Sequence, residues 1–379
     1  MQNFLNSLLQ QRHNLYRIRK VHSSTQTPTL LINGQEYLSF CSNDYLGLAS
    51  DLRLKNAWQD GAEKYGVGSG ASHLITGHTS AHQSLEQELA LYTKREKALL
   101  FSTGYMANLG IITALLGRHD AVFLDRLNHA SLIDAARLSQ AKMYRYADME
   151  ALEYMLAKSS ANHKLIVTDG VFSMDGNIAD LPKIVELSKI YNAWVMVDDA
   201  HGLGVIGETG RGIVELYNFG VEEVPILMGT LGKAFGVFGA FVAGSELLIE
   251  TLIQLSRSYI YTTALPPALA ETIRQSLTVV TEENWRRKHL QELIAYFRKH
   301  TNDLPLIESS TPIQPIILGD ATTALKVSKE LYQRGIVVTA IRPPTVSKGT
   351  SRLRITFSAL HNKNQVDILI KSLIELIKV

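Results

Sequence analysis

The chain has 379 residues and carries 38 Lys and Arg against 36 Asp and Glu, a net charge of +2. At roughly 150 residues per domain it makes two or three domains, and no strong field points to a nucleic-acid or membrane partner. A single cysteine, Cys41, excludes an intrachain disulfide framework and a cysteine-rich metal centre and fits a reducing compartment, the cytoplasm.

No apolar run approaches the ~18 residues of a membrane span, and Asn6 and Ser7 interrupt Phe4–Leu9, which argues against a secretory signal. In chain order, residues 2–20 place Phe4, Leu5, Leu8, Leu9, Leu15 and Ile18 at near-helical spacing and predict a helical arm. Residues 29–40 read as two short strands about Asn33-Gly34, the dipeptide of a type I′ hairpin. Leu54–Tyr65 reads as a helix. From about residue 97 to 244, the short apolar runs Ala98–Ser102, Ala121–Leu124, Lys164–Thr168, Trp194–Val197, Ile226–Gly229 and Ala240–Ala243 alternate with helical stretches. This is the βαβ pattern of a mostly parallel sheet covered by helices. Pro266-Pro267 opens one long helical pattern to about His300, which leads out of the large domain. Beyond it, strands at Ile313–Leu318, Val337–Ala340 and Leu353–Phe357 alternate with helices at 321–334 and 363–378, an α+β unit.

Ligands of open α/β sheets sit at the carboxyl ends of strands, so the residues that follow each apolar run are the candidates for chemistry. Ser102-Thr103-Gly104-Tyr105 leads into a helical stretch to about Leu116 and leaves backbone N–H groups at its start, an anion site suited to a phosphate. It lacks the Gly-Lys-Ser/Thr of a nucleoside-triphosphate loop. His129, after the run 121–124, offers a ring to stack on a flat cofactor, and Ser173, after 164–168, offers a hydroxyl. The strand from Trp194 runs into Asp198, Asp199 and His201; turn-capping carboxylates with a satisfied core histidine are the structural alternative, and no further ligand set accompanies them as a metal site would require. Lys233 lies among Gly232, Gly236 and Gly239, where backbone approaches a ligand closely. A desolvated lysine near other cations has a lowered pKa and bonds covalently to a carbonyl, the alternative being a salt-bridged loop lysine. Gly66-Val67-Gly68-Ser69-Gly70-Ala71 matches a dinucleotide fingerprint in form, but it follows a helix rather than a strand, which argues against hydride chemistry. His78 and His82 stand at helical i, i+4 spacing without an intervening Glu and read as structural rather than zinc-binding. An anion-binding turn, a stacking histidine, an Asp/His pair and a buried-type lysine together describe a phosphorylated aromatic aldehyde held covalently, pyridoxal 5′-phosphate.

With these residues the chain resembles the pyridoxal-phosphate α-oxoamine synthases of the aspartate-aminotransferase fold class. The likeness runs through nearly the whole sequence, in Ser42-Asn43-Asp44-Tyr45-Leu46-Gly47, Gly68-Ser69-Gly70-Ala71-Ser72, Val197-Asp198-Asp199-Ala200-His201-Gly202, Gly232-Lys233, Ile341-Arg342-Pro343-Pro344-Thr345 and Arg352-Leu353-Arg354. It implies an α/β, fold type I PLP-dependent transferase: a large domain with a mostly parallel, seven-stranded-type sheet flanked by helices, and a smaller α+β C-terminal domain. The implied division is an arm and hairpin at 1–45, the cofactor-binding domain at 46–285 and the small domain at 286–379. Because the likeness begins within the first twenty residues, the basic, acid-free start with Arg12, Arg17, Arg19 and Lys20 reads as part of the fold rather than as a transit peptide.

The resemblance also implies roles. Lys233 holds the cofactor and, once displaced, moves the Cα proton. Asp198 pairs with the pyridinium nitrogen, His201 and Ser173 hydrogen-bond the phenolic oxygen, and His129 stacks on the ring. The backbone of Gly104 and Tyr105, with Thr230 and Thr263 of the partner subunit, binds the phosphate. Asn43 and Arg354 grip the amino acid carboxylate, and Arg17, or Arg19 two residues on, meets substrate. The implied activity is an acyl transfer in biotin biosynthesis, in which L-alanine condenses with a pimeloyl thioester of CoA or a carrier protein and carbon dioxide is lost, carried out by a cytoplasmic homodimer without metal, nucleic acid or membrane. Glycine C-acetyltransferase, 5-aminolevulinate synthase and serine palmitoyltransferase share this chemistry on one fold. Thr339–Val346 with Gly349-Thr350 resembles the alanine-using members best. A non-catalytic, cofactor-binding regulator is the reading from another class, and no helix-turn-helix extension or basic patch supports it.

Overall fold

The computed structural model describes residues 1–11 and 18–377. Helix α1 spans Gln2–Gln11, and residues 18–20 are not helical, so the predicted arm helix is shorter than its apolar pattern. Strands β1 (Thr29–Ile32) and β2 (Gln35–Ser39) form the predicted hairpin. Asn33 and Gly34 at its tip have φ of 51° and 78°, the left-handed pair that a type I′ turn demands. Helix α2 (Leu52–Tyr65), capped by Asp51, is followed by a π-helical turn (His73–Gly77) and α3 (Ser80–Thr93).

The large sheet comprises β3 (Lys97–Phe101), β4 (Ala121–Asp125), β5 (Lys142–Tyr146), β6 (Lys164–Asp169), β7 (Trp194–Asp198), β8 (Ile226–Thr230) and β9 (Ala240–Gly244) in the order β3-β9-β8-β7-β6-β4-β5. Strand β9 is antiparallel to both its neighbours, and the remaining pairs are parallel. Helices α4 (Gly104–Leu115), α5 (Ala130–Ser139), α6 (Met149–Lys158), α7 (Leu181–Ile190) and the short α8 (Ile213–Leu216) connect the parallel strands. Alternate strand residues feed two separate cores: Val122 and Leu124 pack with Ile111 and Leu132 on one face, Ala121 and Phe123 with Leu152 and Ile184 on the other. Burial on both faces is why these strands read as continuous apolar runs. Strand β5, Lys-Met-Tyr-Arg-Tyr, escaped that pattern because it is the sheet's edge and largely exposed, where charged side chains discourage further pairing.

After α9 (Glu246–Leu255) and α10 (Arg257–Ile260), the single helix expected from Pro267 to His300 is two, α11 (Pro267–Glu282) and α12 (Asn284–His300). Glu283 between them leaves helical geometry at φ −97°, ψ 62°. The break redirects the chain, for α11 packs on α2 and α3 whereas α12 packs on the C-terminal helix. There follow β10 (Ile313–Gly319), α13 (Ala321–Gln333), β11 (Ile336–Val337), β12 (Thr339–Ile341), β13 (Ser351–Thr356) and α14 (Lys363–Ile377). The one strand expected over 337–340 divides at Val338: β11 joins β2 in parallel, while β12 pairs with β13 in the antiparallel sheet β10-β13-β12. Among the described residues no helix is long and apolar enough to cross a membrane.

Candidate active site

The parallel strands β6, β7 and β8 end side by side, and each delivers a functional group. Strand β7 ends in Asp198, whose Oδ2 accepts a hydrogen bond from Asn108 Nδ2 (2.8 Å) and whose Oδ1 accepts from the backbone N–H of Ala200 (3.1 Å). Asn108 lies one turn into α4 and also donates to Ser131 Oγ (2.9 Å), which stands 2.7 Å from His129 Nδ1. Strand β6 ends in Asp169, whose Oδ2 receives the backbone N–H of His129 (3.0 Å) and Asn128 Nδ2 (3.1 Å). Burial first, and then the negative charge of Asp198, push the Asp169 carboxyl well above the usual carboxylate range. His129 is exposed, its backbone N–H held by Asp169 and its Nδ1 beside the Ser131 hydroxyl.

Strand β8 ends in Thr230, and Lys233 Nζ lies 3.4 Å from its hydroxyl. Burial draws the lysine below its usual range; Asp198 and Asp169 oppose the shift and Arg354 adds to it. Thr230 also packs against the start of α4, since a Cβ at Gly104 would stand 2.8 Å from its methyl. Thr103 caps that helix by accepting the N–H of Met106 (3.1 Å), so the N–H groups at Gly104 and Tyr105 belong to its free first turn. The Tyr105 hydroxyl is engaged with Asp134.

His201 is buried, with Nδ1 2.6 Å from the hydroxyl of Tyr45. Burial, followed by the charges of Lys233, Arg354 and His129, holds its imidazole well below the usual range and hence neutral. Arg354 reaches over from β13: Nε donates to the carbonyl of Ser173 (2.6 Å), and Nη1 and Nη2 donate to Asn43 Oδ1 (3.2 and 3.1 Å). Two residues earlier and on the same strand face, Arg352 pairs with Asp175. Asp199 turns away from the site. Its Oδ2 accepts the N–H of Ile213 (2.7 Å), and it fills a cradle in which a Cβ at Gly170, Gly202 or Gly212 would stand 2.5, 2.1 or 1.8 Å from its carboxylate oxygens.

Lys233, Thr230, Asp198, His201, His129, Arg354, Asn43 and Gly104 thus gather in one region, which Ser173 joins through its backbone carbonyl. Thr263 does not join them: it is exposed on the turn between α10 and α11. Arg17 lies outside the described residues, and Arg19 is exposed. His78 is not on a helix with His82, as their spacing predicted. It precedes Thr79, the cap of α3, and His82 completes the capping box by accepting the Thr79 N–H at Nδ1 (3.0 Å) while its Nε2 meets the carbonyl of Leu265 (2.7 Å). The Gly66–Ala71 segment follows α2, so the strand-turn-helix of a dinucleotide fold is not formed there. Sequence reasoning missed four residues. Asp169 ends its strand just as Asp198 does and carried the same signal; Tyr45 stood within a motif valued only for Asn43. Asn108 and Asn128 gave none, because each acts only across the folded sheet.

The residues present fit pyridoxal 5′-phosphate. A helix N-terminus without a Cβ at its first residue suits the phosphate, a buried carboxylate held by two donors suits the pyridinium nitrogen, and an amine drawn below its usual range suits an aldehyde.

The aminotransferase class I and II family matches residues 35–373. The 8-amino-7-oxononanoate synthase of Thioalkalivibrio sulfidiphilus is 54% identical over 376 residues, 97% of this chain and 96% of that protein. Among solved structures, Sphingomonas wittichii serine palmitoyltransferase has a TM-score of 0.92 at 29% identity, covering 99% of this chain and 96% of that one. The 8-amino-7-oxononanoate synthase from Francisella tularensis has a TM-score of 0.78 at 34% identity, covering 89% and 98%. The chain belongs to the class I and II aminotransferase family and, within it, to the pyridoxal-phosphate-dependent 8-amino-7-oxononanoate synthases.

Proposed function

We infer that this chain condenses L-alanine with a pimeloyl thioester, of CoA or of a carrier protein, to give 8-amino-7-oxononanoate, the free thiol and carbon dioxide, in biotin biosynthesis. The reading rests on one observation beside the family: Lys233, Asp198 and Arg354 converge closely enough that the lysine amine feels both other charges. When bound, pyridoxal 5′-phosphate supplies an electron sink for the carbanion at the alanine Cα. Lys233 holds that group and, once free, moves the proton at Cα; burial lowers its basicity and so favours the neutral amine that accepts that proton. Asp198 keeps the ring nitrogen protonated, and Asn108 and Ala200 fix its two oxygens for that task. His129 stacks on the ring. His201 and Ser173 meet the phenolic oxygen.

Arg354, anchored on Ser173 and Asn43, presents its guanidinium to the amino acid carboxylate, with Asn43 beside it. The N–H groups of Gly104 and Tyr105, with the Thr230 hydroxyl, hold the phosphate. Thr263 of the partner subunit completes that cradle in a cytoplasmic homodimer, and Arg17 or Arg19 meets the acyl chain. We keep the division at 45/46 and 285/286; the break between α11 and α12 lies close to the second boundary. Alanine fit alone cannot exclude glycine, since one missing methyl costs only about 1–3 kcal/mol. A seven-carbon acyl chain adds ~0.8 kcal/mol for each methylene enclosed, which acetyl cannot match. Thiol release should therefore favour L-alanine with pimeloyl-CoA over glycine with acetyl-CoA by about tenfold or more in kcat/KM. Equal or better use of glycine and acetyl-CoA would make the chain a glycine C-acetyltransferase.

A further inference from the structure

Tyr45 has no exposed surface, and burial pushes its phenol up to about 12, so its hydroxyl keeps its hydrogen and needs a partner indoors. Two acceptors lie within reach: His201 Nδ1 at 2.6 Å and Asn43 Oδ1 at 3.2 Å. The asparagine oxygen already receives Nη1 and Nη2 of Arg354, so the hydroxyl competes there with two charge-assisted donors. The imidazole is neutral, so one of its nitrogens carries a hydrogen and the other accepts one. A hydroxyl with one hydrogen, facing a crowded oxygen and a nearer open nitrogen, gives its hydrogen to the nitrogen.

We propose that Tyr45 is a positioning residue that donates to Nδ1 of His201 and locks that ring in the Nε2–H tautomer, and that Arg354 and Asn43 enforce the choice by occupying the hydroxyl's other acceptor. Nε2 then always carries the ring hydrogen. On the reading of His201 given above, on which this consequence rests, the hydrogen meets the cofactor's phenolic oxygen, so one continuous network ties the carboxylate grip to the ring. The groups around the imidazole are Lys233, Arg354, His129 and Tyr45, and among these only Tyr45 bonds a ring nitrogen.

The experiment is solid-state NMR of the full chain labelled with 15N-histidine, both cofactor-loaded and stripped, with the His201 signals identified by their loss in His201→Asn. The wild-type protein should show a bare Nδ1 and a protonated Nε2 in both forms, and Tyr45→Phe should give a mixture of tautomers. In the loaded protein, Tyr45→Phe should change the ratio of the visible absorption bands and lower kcat by about tenfold, with the KM for alanine nearly unchanged. A wild-type ring protonated at Nδ1 overturns the proposal, as does an unaltered 15N pattern in Tyr45→Phe. Should that variant fail to fold, the wild-type spectrum decides alone. The stripped-protein spectrum does not depend on the reaction: a locked tautomer in a protein that releases no thiol from alanine and pimeloyl-CoA would sink the functional reading and leave this one standing.

Discussion

Lys233 and Asp198 answer different questions, and each can be asked separately. Borohydride reduction of the loaded protein followed by peptide mapping should recover the cofactor on Lys233; recovery on Lys94 or Lys97 would remove the assignment. Asp198→Asn should keep the fold yet lose activity by about a hundredfold or more, because an amide cannot favour a protonated ring nitrogen as a carboxylate does. The adjacent Asp199 should behave oppositely. Its carboxyl is pushed from 3.8 to about 7 by burial. A folded-state pKa raised above the unfolded one means that the native protein retains a proton the unfolded chain releases, so stability declines as pH rises between about 4 and about 7. Asp199→Asn should flatten that slope in urea midpoints read at pH 5 and pH 7.5, while turnover per folded molecule changes little. An unchanged slope would show that the cradle around Asp199 is better solvated than its burial indicates.

At the level of elements, β13 is the piece that spans the two sheeted units. Arg354 and Arg352 point from the same face to one turn, the first to the carbonyl of Ser173 and the second to Asp175. Removing one member of such a shielded pair costs about 3 kcal/mol by leaving the other charge unpaired. Arg352→Met and Asp175→Asn should both loosen the turn that anchors Arg354, raising the KM for alanine about tenfold with a smaller effect on kcat. A fall in kcat alone would place the pair elsewhere in the chemistry. The same elements show what the sequence disclosed. Strands buried on both faces announced themselves as apolar runs, and the chemistry at their carboxyl ends was legible because charged residues follow apolar ones there for few structural reasons. The edge strand β5 has no apolar signal to give. The division at Val338 and the break at Glu283 are set by which partner each half of the segment packs against, which no local pattern carries. Asn108 is a helix-interior asparagine whose purpose appears only when α4 is laid across β7.

For the whole molecule the expected state is a homodimer. The segment 66–78 runs beside 261–265, joined by the N–H of Ala264 to the carbonyl of Ala71 (3.0 Å) and by Ser69 Oγ to the carbonyl of Leu265 (2.6 Å). On these adjoining segments Val67, Ile75 and Tyr261 are 87, 74 and 71% exposed, apolar surface of the kind that marks an interface. Thr263 lies in the same strip. Sedimentation should find a dimer, and mixing Lys233→Ala with Thr263→Ala subunits should change the phosphate affinity of the site facing the altered threonine. A fully active monomer would exclude shared sites.

Strand β9 lies between β3 and β8 and runs against both. The turn at Gly104 and the loop at Lys233 are therefore spaced by a strand that the chain makes only after the lysine. During synthesis on the ribosome, the helix start at Gly104, the ring partner Asp198 and the amine of Lys233 emerge in that order, and the insertion of β9 sets the distance between the first and the last. The guanidinium of Arg354 emerges near the end of translation. A nascent chain thus carries its own cofactor-contacting residues well before it gains the arginine that grips the amino acid carboxylate.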